Sequence, residues 1–284
     1  MTVAPHAEPS VPRLLVCAPD HFDTHFLFNP WMGYREKVDR RRAAGQWRRL
    51  VGVLEEAGAD VVRAEPAVVT SALPFTADAA LCYSGGRALV LRNDGLRGDL
   101  EPPVVAAWLH GLGLQTESLP PAYRLEGGNL VWAGPRLLLA GLKPGADGRA
   151  ERYLARLLKV AAGVEVRTVR LLDERHLHLD TALAFLRDDL YLVHRPALGD
   201  DPPPGEAIEV GEADARAFGC NLVCVGDVVV TGLVSDVLAR RIARHGFHVE
   251  RVDLTEFHKA GGGAKCLTLP LQPPEGGREW HGTT

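Results

Sequence analysis

The chain has 284 residues, of which 46% are hydrophobic and 24% charged, and its formal net charge is −4. This composition is typical of a globular protein in water and excludes a disordered, fibrous or disulfide-stapled chain. The 32 Lys and Arg against 36 Asp and Glu offer no basic surface for nucleic acid or anionic lipid. No run reaches the ~18 apolar residues of a membrane span. We therefore expect neither a nucleic-acid partner nor a membrane partner.

The N-terminal sequence MTVAPHAEPSVPR has no basic stretch followed by an apolar run, so we expect no secretory signal. Five cysteines, an odd number spread along a long chain, indicate free thiols in a reducing compartment. We expect a cytoplasmic protein that forms a single domain over residues 1–284, with residues 1–12 as a flexible tail. The oligomeric state stays open, with a homo-oligomer as one option.

The predicted elements begin with an amphipathic helix, Lys37–Ala57, which ends at Gly58 and precedes the strand Asp60–Arg63. Clustered arginines in this helix alternate with apolar residues such as Trp47 and Leu50, which indicates a solvated helix face. Four β-hairpins follow, because apolar runs are separated by short turns rich in Gly, Pro, Asn or Asp. Their strand pairs are Ala79–Tyr83 with Ala88–Arg92, Asn129–Ala133 with Arg136–Leu142, Thr181–Leu186 with Leu190–His194, and Asn221–Val225 with Val228–Leu233.

Most hairpins are followed by a helical pattern and a further strand, so a hairpin–helix–strand unit recurs about every 40 to 50 residues. The predicted helices are Val104–Leu112, Ala150–Ala162 and Val234–His245, and the strands after the last two are Glu165–Arg170 and His248–Asp253. The pattern is not that of a Rossmann fold or a TIM barrel, and no dinucleotide or P-loop motif is present. We predict an α/β fold of ββαβ-type units around a central channel. The segment Gly199–Gly205 is a candidate surface loop or lid.

Polar residues occupy the same place in each unit, at the start of the hairpin. They are Asp78, Glu126, the segment His176–Thr181, and Asn221, and the chain closes with Gly261–Gly263 and Cys266. Equivalent ends of radially arranged units point at one axis, so these side chains are expected to meet. Three carboxylates would repel an anionic substrate and would suit a planar cation with several N–H groups, such as a guanidinium. A thiol with His and carboxylates is typical of nucleophilic catalysis, which predicts thiolate attack on the guanidinium carbon.

Other interpretations of the same residues stay open at this point. A lone Cys is more often a small buried apolar residue, although three glycines before Cys266 allow close approach of a ligand. Cys17, Cys82, Cys220 and Cys224 lack such a setting and are predicted to lie in the core. His176, His178 and Asp180 share one strand face and could hold a metal ion. Glu126, taken alone, could equally be a turn residue.

Taken together, the motifs resemble the guanidino-group-modifying enzymes of the pentein fold. This family comprises arginine deiminases, dimethylarginine dimethylaminohydrolases, arginine dihydrolases and amidinotransferases. The matching segments are Asn29–Met32, Phe75–Asp78, Glu126–Asn129, His178–Thr181, Cys220–Asn221 and Gly262–Thr268. The resemblance implies a five-bladed α/β propeller with pseudo-fivefold symmetry.

The resemblance also implies residue roles. Cys266 would be the nucleophile, and His178 the general acid that protonates the departing amine and later activates water. Glu126 and Asp78 would hold the guanidinium, with Asp180 as a third contact.

Two further residues take roles from the same resemblance. Arg92 would bind the substrate α-carboxylate, and Asn29 would line the pocket. Family members of this type use neither a metal nor an organic cofactor.

The predicted function is hydrolysis of a small guanidino compound, arginine or an N-methylated arginine, to a ureido product and an amine through a covalent thiouronium. The dihydrolase branch resembles this chain near both ends but carries Asn where this chain has Asp78. A carboxylate there favours one hydrolytic step, because a neutral ureido product would leave it without a counter-charge. The alternatives are amidino transfer to an amine, two-step hydrolysis of arginine to ornithine, ammonia and carbon dioxide, and non-catalytic guanidino binding.

Overall fold

Fifteen strands in the described part of the chain pair into five three-stranded sheets. The structure is a computed structural model that describes residues 11–25, 29–32, 35–200 and 202–274. The strands are β1 Arg13–Cys17, β2 Asp60–Ala64, β3 Ala80–Tyr83, β4 Arg87–Val90, β5 Gln115–Ser118, β6 Leu130–Gly134, β7 Leu137–Leu142, β8 Glu165–Arg170, β9 Leu183–Arg187, β10 Leu190–Val193, β11 Glu206–Glu209, β12 Val223–Val225, β13 Val228–Thr231, β14 His248–Arg251 and β15 Leu269–Pro270.

Six α-helices accompany the strands in the described residues. They are α1 Arg40–Glu56, α2 Arg97–Gly111, α3 Arg149–Ala162, α4 Glu212–Arg216, α5 Asp236–Ala243 and α6 Thr255–His258. Within residues 11–25, 29–32, 35–200 and 202–274, no helix is long and apolar enough to cross a bilayer.

Each sheet has the same strand arrangement. A β-hairpin supplies an antiparallel pair, and the strand after the crossover adds in parallel beside the second hairpin strand, as in β3-β4-β5 and β6-β7-β8. The first sheet is assembled from both ends of the described chain, because β15 pairs antiparallel with β1 and β2 pairs parallel with it. The fold is therefore the predicted five-bladed α/β propeller.

Local sequence explains where helix α1 begins and where helix α3 ends. Asp39 caps α1 by accepting a hydrogen bond from the backbone N–H of Arg42, and Gly163 ends α3 in the left-handed conformation. The buried face of α1 contains Trp47 and Leu50, as its amphipathic pattern predicts.

One predicted helix differs from the structure in where it begins. Helix α2 begins at Arg97 rather than Val104, and so contains Pro102 and Pro103. The crossover of the β9-β10-β11 sheet has only a 3₁₀ turn, Arg195–Ala197, before the loop that leads to β11. Part of the predicted lid Gly199–Gly205 forms this loop, and residue 201 lies outside the described residues.

A cavity of about 590 Å³ lies between the sheets, as the predicted central channel requires. The outer strand that pairs antiparallel in every sheet contributes to its wall, with Ala80, Leu130, Leu183, Val223 and Leu269. The wall is largely apolar, and the channel ends at the turns that carry the polar residues described below.

Leu15 of β1 pairs with Leu269 of β15, and both side chains are buried. We expect Leu15→Ala to lower the free energy of unfolding by about 2 to 5 kcal/mol, because it removes a buried side chain where the first sheet closes. Val68→Ala, at a side chain that is 82% exposed, is the control and should change it by about 0.5 kcal/mol or less. Urea unfolding measures both, and equal effects would contradict the closure at β1 and β15.

Candidate active site

Four of the predicted site residues meet at one end of the channel. Asp78 ends a 3₁₀ turn before β3, Glu126 and His178 each precede such a turn, and Cys266 lies shortly before β15. All four line a cavity of about 260 Å³. Residues almost 190 positions apart in sequence are thus assembled around a space the size of an amino acid.

Glycine is required where the turns approach one another. A Cβ on Gly128 would lie 2.4 Å from Nδ1 of His178, and one on Gly262 would lie 2.4 Å from the ring of Phe75. Since real Cβ atoms do not approach other atoms so closely, the glycines of both motifs serve packing around His178 and Cys266.

Glu126 is shared by two cations. Its Oε2 atom accepts hydrogen bonds from Nε2 of His178 at 2.8 Å and from Nζ of Lys143 at 2.7 Å. Burial alone would lower the pKa of His178, but the carboxylates of Asp78 and Glu126 outweigh it and raise this pKa to about 9. Burial likewise opposes ionisation of Glu126, yet His178 and Lys143 hold its pKa below the ordinary value. The site therefore presents an imidazolium beside a carboxylate at neutral pH.

Asp78 also has positive neighbours. Its Oδ1 atom accepts a hydrogen bond from the N–H of Gly128 and lies 3.5 Å from Nδ1 of His178. Its Oδ2 atom lies 3.7 Å from Nη2 of Arg97, a guanidinium that donates through Nε to Glu101. Nη2 of Arg97 is buried without a hydrogen-bond partner, and Arg97 is one of the residues that line the cavity. The Asp78 carboxylate is therefore compensated before any substrate enters.

The thiol of Cys266 contacts two side chains, Asn221 and Asp180, that do not line the cavity. Nδ2 of Asn221 donates a hydrogen bond to its Sγ at 3.1 Å, and Oδ2 of Asp180 lies 3.7 Å from the same sulfur. Burial, followed by the carboxylates of Asp180 and Asp78, raises the pKa of Cys266 well above its ordinary value. The thiol is thus neutral in the free protein, and a cation in the cavity would favour the thiolate.

Asp180 lies on the channel side of the site. Burial raises the pKa of its carboxyl to about 6, and its Oδ1 atom has no hydrogen-bond partner in the described structure. Asp180 therefore lies beside the Cys266 thiol, whereas Asp78 and Glu126 line the cavity.

Arg92 does not line this cavity. Its guanidinium donates to the carbonyl oxygens of Leu119 and Gly98 and to Asp99. In a helix the Gly98 carbonyl would accept from residue 102, and Pro102 has no N–H to donate. Arg92 supplies that missing donor, so its position is explained by the start of α2 rather than by a substrate.

Asn29 is also outside the cavity wall. It is buried, donates through Nδ2 to the carbonyl of His258 and accepts through Oδ1 from the N–H of Trp31. These contacts connect the Asn29–Met32 segment to α6.

The structure separates His176 from the other residues of the considered metal set. Its ring packs against Trp31 and His194 and hydrogen-bonds Thr181, away from the cavity. Among the residues with assigned positions, no group of three or more His, Cys, Asp or Glu side chains is arranged to hold a metal ion.

The remaining cysteines have the structural setting predicted for them. Cys17, Cys82 and Cys220 are buried, Cys224 is half-buried, and all are free thiols.

Two residues of the site, Arg97 and Lys143, were missed at the level of sequence, and for Asn221 the contact with the thiol was not predicted. Lys143 directly follows the second hairpin, and Arg92 comes shortly after the first. This equivalent position in the repeat could have indicated Lys143 as a site residue. Arg97 follows a turn whose length gives no indication of where the side chain points. Asn221 occupies the repeat position of Asp78 and Asn129, so its place in the repeat, though not its contact with Cys266, was readable.

Another cavity, of about 320 Å³, adjoins the 260 Å³ cavity that contains Cys266 and His178. The two share Asp94, Glu126 and Lys143 as lining residues. The Lys143–Glu126 ion pair therefore lies at the boundary between them.

Comparison with known proteins identifies the family. The chain is 35% identical over 281 residues to the bifunctional arginine dihydrolase/ornithine cyclodeaminase ArgZ of Synechocystis, covering 92% of this chain but 38% of that protein. It is 32% identical to an N(G),N(G)-dimethylarginine dimethylaminohydrolase of Mycobacterium tuberculosis, covering 93% of this chain and 87% of the relative. The chain belongs to the guanidino-group-modifying pentein enzymes. No family model matches it.

Solved pentein structures agree with this membership. The N-terminal domain of ArgZ bound to its substrate superimposes with a TM-score of 0.84 at 34% identity, covering 93% of this chain and 99% of that domain. A variant of the same domain has been crystallised covalently bound to a reaction intermediate. Because this chain spans well under half of the bifunctional relatives, similarity to them concerns their dihydrolase part.

We expect Glu126→Gln to lower the pKa of His178 from about 9 toward the ordinary 6.5, because the variant removes a carboxylate that stabilises the imidazolium. A raised pKa stabilises the folded protein fully below about pH 6.5, and this contribution is lost as pH rises through about 9. The free energy of unfolding of the variant should therefore change less between pH 7 and pH 10.

NMR titration of the His178 imidazole and urea unfolding across this pH range make the measurement. Glu165→Gln, on the exposed part of β8, is the control and should leave the titration unchanged. A His178 pKa unaltered by Glu126→Gln would refute the charge balance described for the site.

Proposed function

We propose that this protein is a cysteine-dependent hydrolase of the guanidino group of arginine. The observation that carries the proposal is the placement of Cys266, His178, Glu126 and Asp78 around one cavity of about 260 Å³. Family membership and the substrate-bound ArgZ domain support the same substrate.

The guanidinium of the substrate would enter between Glu126 and Asp78. Its N–H groups would replace the ammonium of Lys143 on Glu126, since Lys143 is partly exposed and its flexible stem can move away. The added positive charge lowers the pKa of Cys266, so its S–H proton passes to water, and the thiolate then attacks the guanidinium carbon and forms a C–S bond.

His178 would supply the proton for the first departure. The imidazolium protonates one amino group of the tetrahedral adduct, the C–N bond breaks and ammonia leaves a thiouronium on Cys266. Neutral His178 then removes a proton from water, the hydroxide adds to the same carbon, and the C–S bond breaks to return the thiol and a ureido product.

The amino-acid end of the substrate needs cationic partners. Arg97 offers a buried Nη2 donor in the cavity wall, and Lys143 is released from Glu126 when the guanidinium binds. We therefore assign the carboxylate contact to Arg97, in place of the predicted Arg92, with Lys143 beside it.

A second hydrolytic step, from the ureido product to ornithine, ammonia and carbon dioxide, is favoured by the comparisons over the single step predicted from sequence. The relatives at 35% and 36% identity are arginine dihydrolases, and the dimethylarginine hydrolases are 32% and 27% identical. The sequence argument also assumed that Asp78 would lack a counter-charge beside a neutral product. Arg97 and His178 supply that charge, so this objection to a second attack no longer applies.

Product analysis tests the proposal. The protein, incubated with arginine, asymmetric dimethylarginine and agmatine, should consume arginine fastest and release ornithine with two ammonia. His178→Ala should lower kcat at least ~10²-fold, the usual scale for a lost general acid, and Cys266→Ala should abolish turnover. His176→Ala is the matched control and should change kcat far less. Turnover of none of the three compounds would overturn the proposal, and citrulline as the only product from arginine would restore the one-step interpretation.

We expect Asp78→Asn to lower kcat/KM for arginine about 10- to 100-fold, because an amide loses the ion pair with the guanidinium but keeps the acceptor for Gly128. The ratio of ornithine to citrulline, measured by mass spectrometry, should not rise. Ornithine formed by the variant alone would show that Asp78 limits the unmodified protein to one step.

A further inference from the structure

The side chain of Asn221 makes three hydrogen bonds to the loop at residues 263–266. Its Oδ1 atom accepts hydrogen bonds from the backbone N–H groups of Gly263 and Cys266, both at 3.1 Å. Its Nδ2 atom donates to Sγ of Cys266 at 3.1 Å and to the carbonyl of Asp180 at 3.5 Å. Asn221 is completely buried, so water cannot replace any of these bonds.

The chain before Asn221 is shaped to present this amide. Among the described residues other than glycine, only Phe218 has a positive φ, of 59°, and its carbonyl accepts from the N–H of Asn221. Such a conformation is unfavourable for a residue with a bulky side chain and persists only where surrounding contacts enforce it. The turn at 218–221 therefore holds Asn221 in a fixed position relative to Cys266.

The oxygen and the nitrogen of the Asn221 amide make different contributions. The oxygen fixes the backbone of the loop that carries the thiol, which is a structural contribution. The nitrogen points a donor at sulfur, and such a bond becomes stronger when the acceptor is ionised. Asp180 acts in the opposite sense, because its carboxylate lies 3.7 Å from the sulfur and disfavours a second negative charge there.

We propose that Asn221 is a catalytic residue that stabilises the thiolate of Cys266 through its Nδ2–H donor, while its Oδ1 atom holds the thiol in register with the cavity. This inference deepens the proposed hydrolase function, since a thiolate is formed in each attack on the guanidinium carbon. The bond is present before substrate binds and strengthens as the S–H proton departs.

The substitution Asn221→Asp keeps an oxygen for the N–H groups of Gly263 and Cys266 but replaces the donor beside sulfur with a negatively charged acceptor. Asn221→Ser removes the same donor without adding charge, so the two variants together isolate the donor's contribution. Asn129→Asp is the matched control, because Asn129 is also buried, starts a hairpin and accepts a backbone hydrogen bond, from Leu179. Asp180→Asn should shift the pKa of Cys266 in the opposite direction, since it removes the negative charge of the Asp180 carboxylate next to the thiol.

The measurement is the pH dependence of Cys266 alkylation by iodoacetamide, located by peptide mass spectrometry. We expect Asn221→Asp to move the profile upward by about one pH unit or more and Asp180→Asn to move it downward, with Asn129→Asp unchanged. With arginine, kcat of Asn221→Asp should fall by about 10-fold or more while KM changes less. Should Asn221→Asp fail to fold, Asn221→Ser, whose short hydroxyl cannot reach the sulfur from the same position, carries the same expectation.

An alkylation profile of the folded variant that coincides with the unmodified protein would overturn the proposal and leave Asn221 a structural residue. Alkylation requires no substrate. A protein that hydrolysed no guanidino compound would therefore still report on Asn221, and failure of the arginine proposal would be seen separately in the product assay.

Discussion

The antiparallel pairing of β15 with β1 is the contact on which the active site depends. Cys266 lies three residues before β15, and Leu269 of that strand pairs with Leu15 near the start of the described chain. Cys266 therefore reaches the turns of the other sheets only when the first sheet closes. Because this contact joins residues about 250 positions apart, its loop-closure entropy must be offset by apolar burial along the channel and under the helices.

Once the sheets are closed, the site concentrates charge in a space with little water. Carboxylates of Asp78 and Glu126 are compensated by His178, Lys143 and Arg97, so the free protein already contains the opposite charges that a guanidinium needs. In the proposed mechanism a substrate cation would exchange with Lys143 rather than neutralise an uncompensated anion. This exchange would limit the electrostatic gain on binding, and the added positive charge would instead favour loss of the Cys266 thiol proton.

Relatives that share this fold are named for different reactions, arginine dihydrolysis and dimethylarginine hydrolysis. The contacts of Asp78 show that a small structural difference could separate one hydrolytic step from two. A carboxylate beside a neutral ureido group is unfavourable only if it lacks another partner. Arg97 and His178 lie next to Asp78 in the free protein and would stay there beside a charged or a neutral ligand. Whether residue 78 is Asp or Asn should therefore influence the number of hydrolytic steps less than the sequence argument assumed.

The amino-acid sequence by itself determined the strands of the hairpins to within one or two residues, the repeat, and the four side chains that meet at the cavity. These features are local: apolar alternation, turn glycines and a motif at each hairpin start need only neighbouring residues. The tertiary structure alone decided that Arg97 rather than Arg92 lines the cavity, because Arg92 fills the acceptor that Pro102 leaves open on Gly98. It alone decided that Asn221 contacts the thiol, because that bond joins two segments brought together only by closure of the five sheets.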